Sequence, residues 1–499
     1  MGTIARQTSK NSFVLVLGAC IGALSSIFIY PLETELYGNI QFILSSALLL
    51  APFSDFGMRP LIIRYFPVFK TEDNRNNGFL SLIILSIFLG LLTMVFLANQ
   101  GYEMFQKLLN ALSWDINRFE SNFYVIFGVL IGISFSSRLT LYLANYQKIV
   151  WPSIFDGFYL KIILPFIVIL FSFEVVNYSM AINIYVIAIS LVSFFLLIYI
   201  KRQNLLYLTF NTSFYSVSLL KEMSSYASYG LLGSLSSIIA FQIDTVMVAG
   251  FEGFSQTGIY AIAAIIGNMI IIPSKGIIPL VAAEISDHFS KNNLHKIREL
   301  YVKSSITLTI TGSVLFLLIW WNINDIFSLA SQTEKLKTGI QVVLFISLAK
   351  LIDVITSVNS HIILYSKHFR WNLLFVILMG VLTIASNLYF IPRMGISGAA
   401  LATLISLSLF NLLKLIFVWY VFKMQPFTWA TLKVLLMGGG VSMALWLLPL
   451  DFHPIINIII RSSLVMILFG LPVYYFRLSE DISLAVEKYW EMGIAFIKR

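Results

Sequence analysis

Apolar runs of 18 residues or more recur along nearly the whole chain, parted by short polar stretches. A helix needs about 20 apolar residues to cross the hydrocarbon core of a bilayer, so each run is a candidate span. Fourteen are predicted, at 13–30, 38–57, 79–98, 122–143, 153–173, 181–200, 226–250, 257–278, 303–321, 339–360, 371–391, 397–421, 428–448 and 455–476. In lipid every backbone polar group must be satisfied inside the structure, and runs this long and continuous achieve that as helices. The predicted fold class is an all-α polytopic membrane protein with about 14 transmembrane helices.

Composition agrees with the pattern. The 499 residues are 58% hydrophobic and 11% charged, with a mean hydropathy of +0.87, whereas soluble domains run to about 25% charged. Fourteen spans take up roughly 280 residues, which excludes a large aqueous domain. The single cysteine, Cys20, lies inside the first apolar run and excludes an internal disulfide. The formal charge of +9 does not point to nucleic acid, because most basic residues sit in short loops between apolar runs.

Those loops also carry an orientation signal. With the N-terminus placed in the cytoplasm, and Lys303 and Lys433 counted with the cytoplasmic loops they adjoin, 22 Lys and Arg fall on the cytoplasmic side. Only Lys107, Arg118, Lys335, Lys337 and Arg393 fall on the other, an asymmetry that sets both termini inside. A weak internal duplication divides the chain further. Residues 22–27 (GALSSI) return at 233–238 (GSLSSI), and 188–191 (AISL) is echoed at 404–407 (LISL), at offsets of 211 and 216. The expected organisation is a six-helix bundle at 1–200, a cytoplasmic linker at 201–225, a second six-helix bundle at 226–421, and two extra helices with a cytoplasmic tail at 422–499. Copies with an even number of spans share one orientation, which makes this a parallel pseudo-repeat of the kind that encloses a central cavity in transporters.

Six cations remain within or at the ends of spans: Arg138, Lys161, Lys275, Lys350, Lys414 and Arg461. A charge at mid-span costs about 2.5–3.5 kcal/mol on insertion scales, so each calls for a reason. Arg138, Lys275 and Lys414 lie nearer the cytoplasmic end and Arg461 toward the outer third, where snorkelling to the interface competes with a cavity role. The acids there are Asp156, Asp244 and Asp353. Lys350 and Asp353 are three apart, the spacing of a pair on one helix face. Gly230, Ser234, Ser237 and Asp244 form one small or polar stripe, which faces either a cavity or a close helix neighbour. Asp244, Asp353 and Asp156 are the candidates for ion coupling. Six cations against three acids predict a net positive interior.

Several stretches resemble a known family. Residues 387–403 (NLYFIPRMGISGAALAT), 257–263 (TGIYAIA) following Asp244, Pro273 and Pro279, 35–40 (ELYGNI) and 55–59 (DFGMR) are similar to the patterns of polysaccharide and O-antigen (Wzx-type) flippases. That family belongs to the multidrug/oligosaccharidyl-lipid/polysaccharide exporter superfamily. The resemblance implies an inner-membrane flippase that moves a polyprenyl-diphosphate-linked glycan precursor outward by alternating access, with no enzymatic step. Its cargo carries an anionic diphosphate, which suits cavity cations and bidentate arginine above all. The implied partners are the lipid-linked glycan, membrane lipid and glycan polymerase machinery, in a bacterial inner membrane.

Two alternatives stay open. A multidrug or toxin extruder for organic cations would want acidic and aromatic groups instead. A glycan polymerase or ligase would need catalytic groups in an outer loop, and the longest one, 99–121, shows no obvious constellation. No cofactor or metal is expected: there is no P-loop, and no two of His288, His295, His361, His368 and His453 have i, i+4 spacing.

Overall fold

A computed structural model describes residues 3–111, 114, 119–484 and 487. Arg118 and the tail cations Lys488, Lys498 and Arg499 lie outside the described residues, as does the side chain of Ser237. The fold is all helical among the described residues. Each predicted span lies on a helix or helix pair. In chain order these are α1 (Thr3–Phe28), α2 (Thr34–Asp55), the short connector α3 (Met58–Phe69), α4 (Phe79–Ala111) and α5 (Phe123–Asn145). They continue with α6 (Val150–Ser172), α7 (Tyr178–Arg202), α8 (Val217–Glu252), α9 (Phe254–Ser290) and α10 (Leu294–Ser328). Last come α11 (Ile340–Thr356), α12 (Asn359–Tyr365), α13 (Phe369–Met394), α14 (Ile396–Phe422), α15 (Trp429–Trp446) and α16 (Pro454–Tyr475).

Among the described residues 11 of these elements are long and apolar enough to cross a membrane, or 12 if the bent pair α11 and α12 counts as one span. The other two of the expected 14 fall on α1 and α8, parts of which lie outside the described residues. Span 10, read as one run at 339–360, is broken: α11 and α12 meet at 50°.

The chain divides into two compact units, Met1–Ala261 and Ile262–Arg499. This division groups helices by packing, whereas the expected bundles group them by duplication, and the two criteria part company at α8. That helix follows the 201–225 segment yet packs on α2 and α3 of the first unit. The segment itself is fastened there. Phe69 at the end of α3 meets Phe214 with ring centroids 4.8 Å apart, and Tyr215 Oη donates to Asn77 O at 3.1 Å. Beneath these contacts Leu61, Ile62 and Phe66 of α3 bury against Phe79 and Ile83 of α4, Leu139 of α5 and Leu196 of α7.

Lipid is as apolar as the side chains it bathes, so membrane helices associate through close packing more than through water exclusion. Glycines show where that packing is tightest. A Cβ on Gly38 of α2 would meet Phe254 O at 1.8 Å, and one on Gly258 of α9 would meet Thr34 O at 2.0 Å. In the second unit α15 and α16 pack on α10. Val434 and Val441 of α15 and Val465 and Phe469 of α16 share a buried core with Ile306, Ile310 and Leu317 of α10.

Candidate functional site

The DFGMR stretch builds the polar centre of the first unit. Phe56 (φ 46°) and Gly57 (φ 70°) both take the left-handed conformation, which ends α2 and turns the chain into α3. At Gly57 that conformation and the approach of Ala227 O, 1.9 Å from where a Cβ would lie, leave room for glycine alone. The turn leaves Asp55 buried at 2% exposure and puts Arg59 one helical turn away. Arg138 of α5 reaches the same carboxylate: its Nε donates to Asp55 Oδ1 at 2.8 Å and its Nη2 to Ser54 O at 2.6 Å. Arg59 Nε stands 3.6 Å from Asp55 Oδ2. Ser54 and Ser134 hydroxyls share a hydrogen bond at 2.9 Å between the same two helices. Asp156 of α6 is exposed. Arg138, Arg59 and Asp55 thus form one network.

Arg138 is fully buried, so it does not snorkel. Its Nη1 is buried without a hydrogen-bond partner among the described residues. The other predicted residues of this unit are placed differently. Lys161 on α6 has its ammonium beside Gly18 of α1, 3.4 Å from where a Cβ there would lie. Asp244 is 5% exposed and accepts from Tyr260 Oη at 3.2 Å, so part of its stripe faces a helix neighbour.

The second unit holds Lys275, Lys350, Lys414, Arg461 and Asp353. Lys275 is exposed and Lys350 is buried. Lys414 on α14 is 2% exposed, so it too is no snorkelling residue. Its Nζ donates to Ser360 Oγ at 2.8 Å and lies 3.8 Å from the centre of the Phe410 ring. No carboxylate stands within ion-pair distance of it among the described residues. Asp353 Oδ1 accepts from Asn411 Nδ2 at 3.0 Å, and Asn411 Oδ1 accepts from Thr356 Oγ1 at 3.0 Å. Arg461 on α16 is ion-paired with Asp325 of α10 and donates to Trp321 O at 3.1 Å. Asn457 supports the same aspartate through a 3.1 Å hydrogen bond to Oδ1. This pair fastens α16 to α10 beside the shared core.

The predicted charge excess therefore shrinks. Asp55 and Asp325 are not among the three acids of the span tally, yet each pairs with one of the six cations. Asp55, Arg59, Asn411 and Asp325 are the residues of these networks that span-by-span reading does not single out, whereas Ser360 falls on the polar stripe of span 10 with Lys350, Asp353 and Ser357. The available signals were the DFGMR motif for the first two and the i, i+3 spacing of Asn411 and Lys414 for the third. A groove of about 510 Å³ lies beside the second network, lined by Thr356 and Asn411 and by apolar side chains such as Ile352, Leu412, Phe427 and Leu435.

Residues 231–389 match the MatE family. The probable flippase AglR of Haloferax volcanii is 25% identical over 200 residues, a match covering 38% of this chain and 40% of that relative. A lipid II flippase, MurJ, in an inward closed conformation aligns over 95% of this chain and 99% of its own, with a TM-score of 0.72 at 15% identity. The fold is that of MurJ and the MATE transporters. An inward-facing multidrug resistance MATE transporter of the MOP superfamily aligns over 81% of this chain and 94% of its own, with a TM-score of 0.62 at 13% identity. These neighbours are transporters, and the chain is a multi-pass membrane protein of their architecture.

Proposed function

We propose that the chain is a flippase of the polysaccharide-exporter type. It would carry a polyprenyl-diphosphate-linked oligosaccharide outward across a bacterial inner membrane by alternating access, with both termini in the cytoplasm. The observation that carries this reading is the extent of the shared fold. The lipid II flippase aligns over 95% of the chain and the multidrug transporter over 81%, so more of the chain is shared with the flippase. Lys414, buried with no ion-paired carboxylate among the described residues, and Arg138, with a guanidinium nitrogen unpartnered among them, are the cations best placed to serve an anionic headgroup after rearrangement. Lys161, Lys275 and Lys350 complete the set. Arg461 contributes to structure, since Asp325 holds it. Glycan polymerase machinery would take the product on the outer side.

Outward movement of a doubly charged diphosphate, down a potential negative inside, gains roughly 4.6 kcal/mol at 100 mV, from about 2.3 kcal/mol per charge. The potential alone can therefore drive export, and Asp244, Asp353 or Asp156 would add proton exchange. The MatE match favours one second reading, a multidrug or toxin extruder. Reconstituted vesicles separate the two. A short-chain diphosphate-linked glycan should become accessible to an external lectin faster with protein than without, at a clamped potential. Transport of a fluorescent organic cation with no movement of the glycan would overturn the flippase reading.

A further inference from the structure

The break in span 10 occurs at a sequence, Thr356-Ser357-Val358-Asn359, that contains neither glycine nor proline. Sharp kinks almost always have such a cause or an inserted side chain. Here side chains from two neighbouring helices take over the backbone's work. Ser305 Oγ of α10 donates to Ile355 O at 2.7 Å, and Ser357 Oγ donates to Ser304 Oγ at 2.8 Å. Ser357 itself sits at φ 52°, ψ −122°, a conformation that L side chains rarely adopt. Such backbone persists only where its surroundings hold it.

The two arms of the break are held unequally. α11 is seated firmly: a Cβ on Gly312 of α10 would come within 2.9 Å of Val354 Cγ2, so the helices touch closely. From α14, two side chains one turn apart grip opposite sides of the break. Asn411 binds Asp353 and Thr356 before it, and Lys414 binds Ser360 after it. Lys414 has three N–H donors and spends one on a neutral hydroxyl. His361 Nδ1 and Asn359 Nδ2, on the same short arm, are buried without partners among the described residues. The second arm is the less satisfied of the two.

We infer that the Ser357–Val358 break is a hinge, that α12 is its moving arm, and that Asn411 and Lys414 are positioning residues that set its angle. The inference rests on the transporter reading only for what the motion would serve. If α12, seven residues or about 10 Å long, straightened through the full 50°, its far end would travel about 9 Å.

Purified full-length protein with Cys20→Ser has no native thiol, so spin labels can be placed at will. One pair, Glu334→Cys with Lys367→Cys, straddles the break. A control pair, Glu334→Cys with Arg298→Cys, does not. Lys414→Met, and the gentler Ser360→Ala and Thr356→Val, each remove one grip. The straddling distance should shift or split by several ångströms in these variants while the control stays fixed. One narrow straddling distance, unchanged in all three variants, would show a static kink and overturn the hinge. Equal movement of both pairs would mean general loosening and would overturn it too. The distances need no substrate, so loss of vesicle transport with a mobile break would count against the flippase reading and leave the hinge standing.

Discussion

Removing either partner of the Asp55–Arg138 pair should have unequal consequences, because Asp55 has a second cation and Arg138 has no second acid among the described residues. At an effective dielectric of about 20, unit charges 2.8 Å apart attract by about 6 kcal/mol, and charges 3.6 Å apart by about 4.6 kcal/mol before solvent screening. Arg59 is 31% exposed on its side chain, so its share is screened further. Asp55→Asn leaves a fully buried guanidinium with a neutral amide and Ser54 O, and breaking a buried pair in that way costs about 3–5 kcal/mol. Arg138→Met leaves Asp55 facing Arg59 and frees Ser54 O, a loss of about 1–3 kcal/mol. The double variant should come back toward the milder single one, giving a coupling energy above about 1 kcal/mol. Reversible unfolding in mixed micelles, followed by tryptophan fluorescence, measures all three. An Arg138→Met variant as damaging as Asp55→Asn would refute the role assigned to Arg59. Two mild singles with no coupling would refute the burial of the pair.

Three further outcomes follow from close contacts. Gly38→Ala forces a methyl onto Phe254 O, where only 1.8 Å is available; it should cost at least about 1–3 kcal/mol and lower the monodisperse yield on size exclusion. A normal yield would mean that α2 and α9 pack less tightly than described. Arg461→Gln removes the α10–α16 pair at a side-chain exposure of 17% and should cost about 1–3 kcal/mol. Protease should then cut sooner around α16, while glycan transport by the surviving folded protein stays near its normal rate. Ser357→Ala and Ser357→Gly both lose the bond to Ser304, yet only alanine keeps the strained φ. Glycine should therefore be the more stable by about 1 kcal/mol, and equal stabilities would remove the strain from the argument for the hinge.

Hydropathy is a local property, so the helices, their approximate limits and the class of membrane protein could be read from the sequence alone. Each segment must satisfy its own backbone in lipid whatever its neighbours are. The depth of Arg138, Lys350 and Lys414 along their spans could be read in the same way. What each charge faces could not, because pairing is a matter of distance in space. Asp55 lies 83 positions from Arg138 and Asp325 lies 136 from Arg461, so a tally of cations and acids span by span overstated the positive excess. The break in span 10 falls in a polar stretch, residues 356–360, without glycine or proline. Beside the local bond from Thr356 Oγ1 to Asp353 O, the hydroxyls of Ser304 and Ser305 and the side chains of Asn411 and Lys414, brought in by α10 and α14, supply hydrogen bonds there that no local pattern announces.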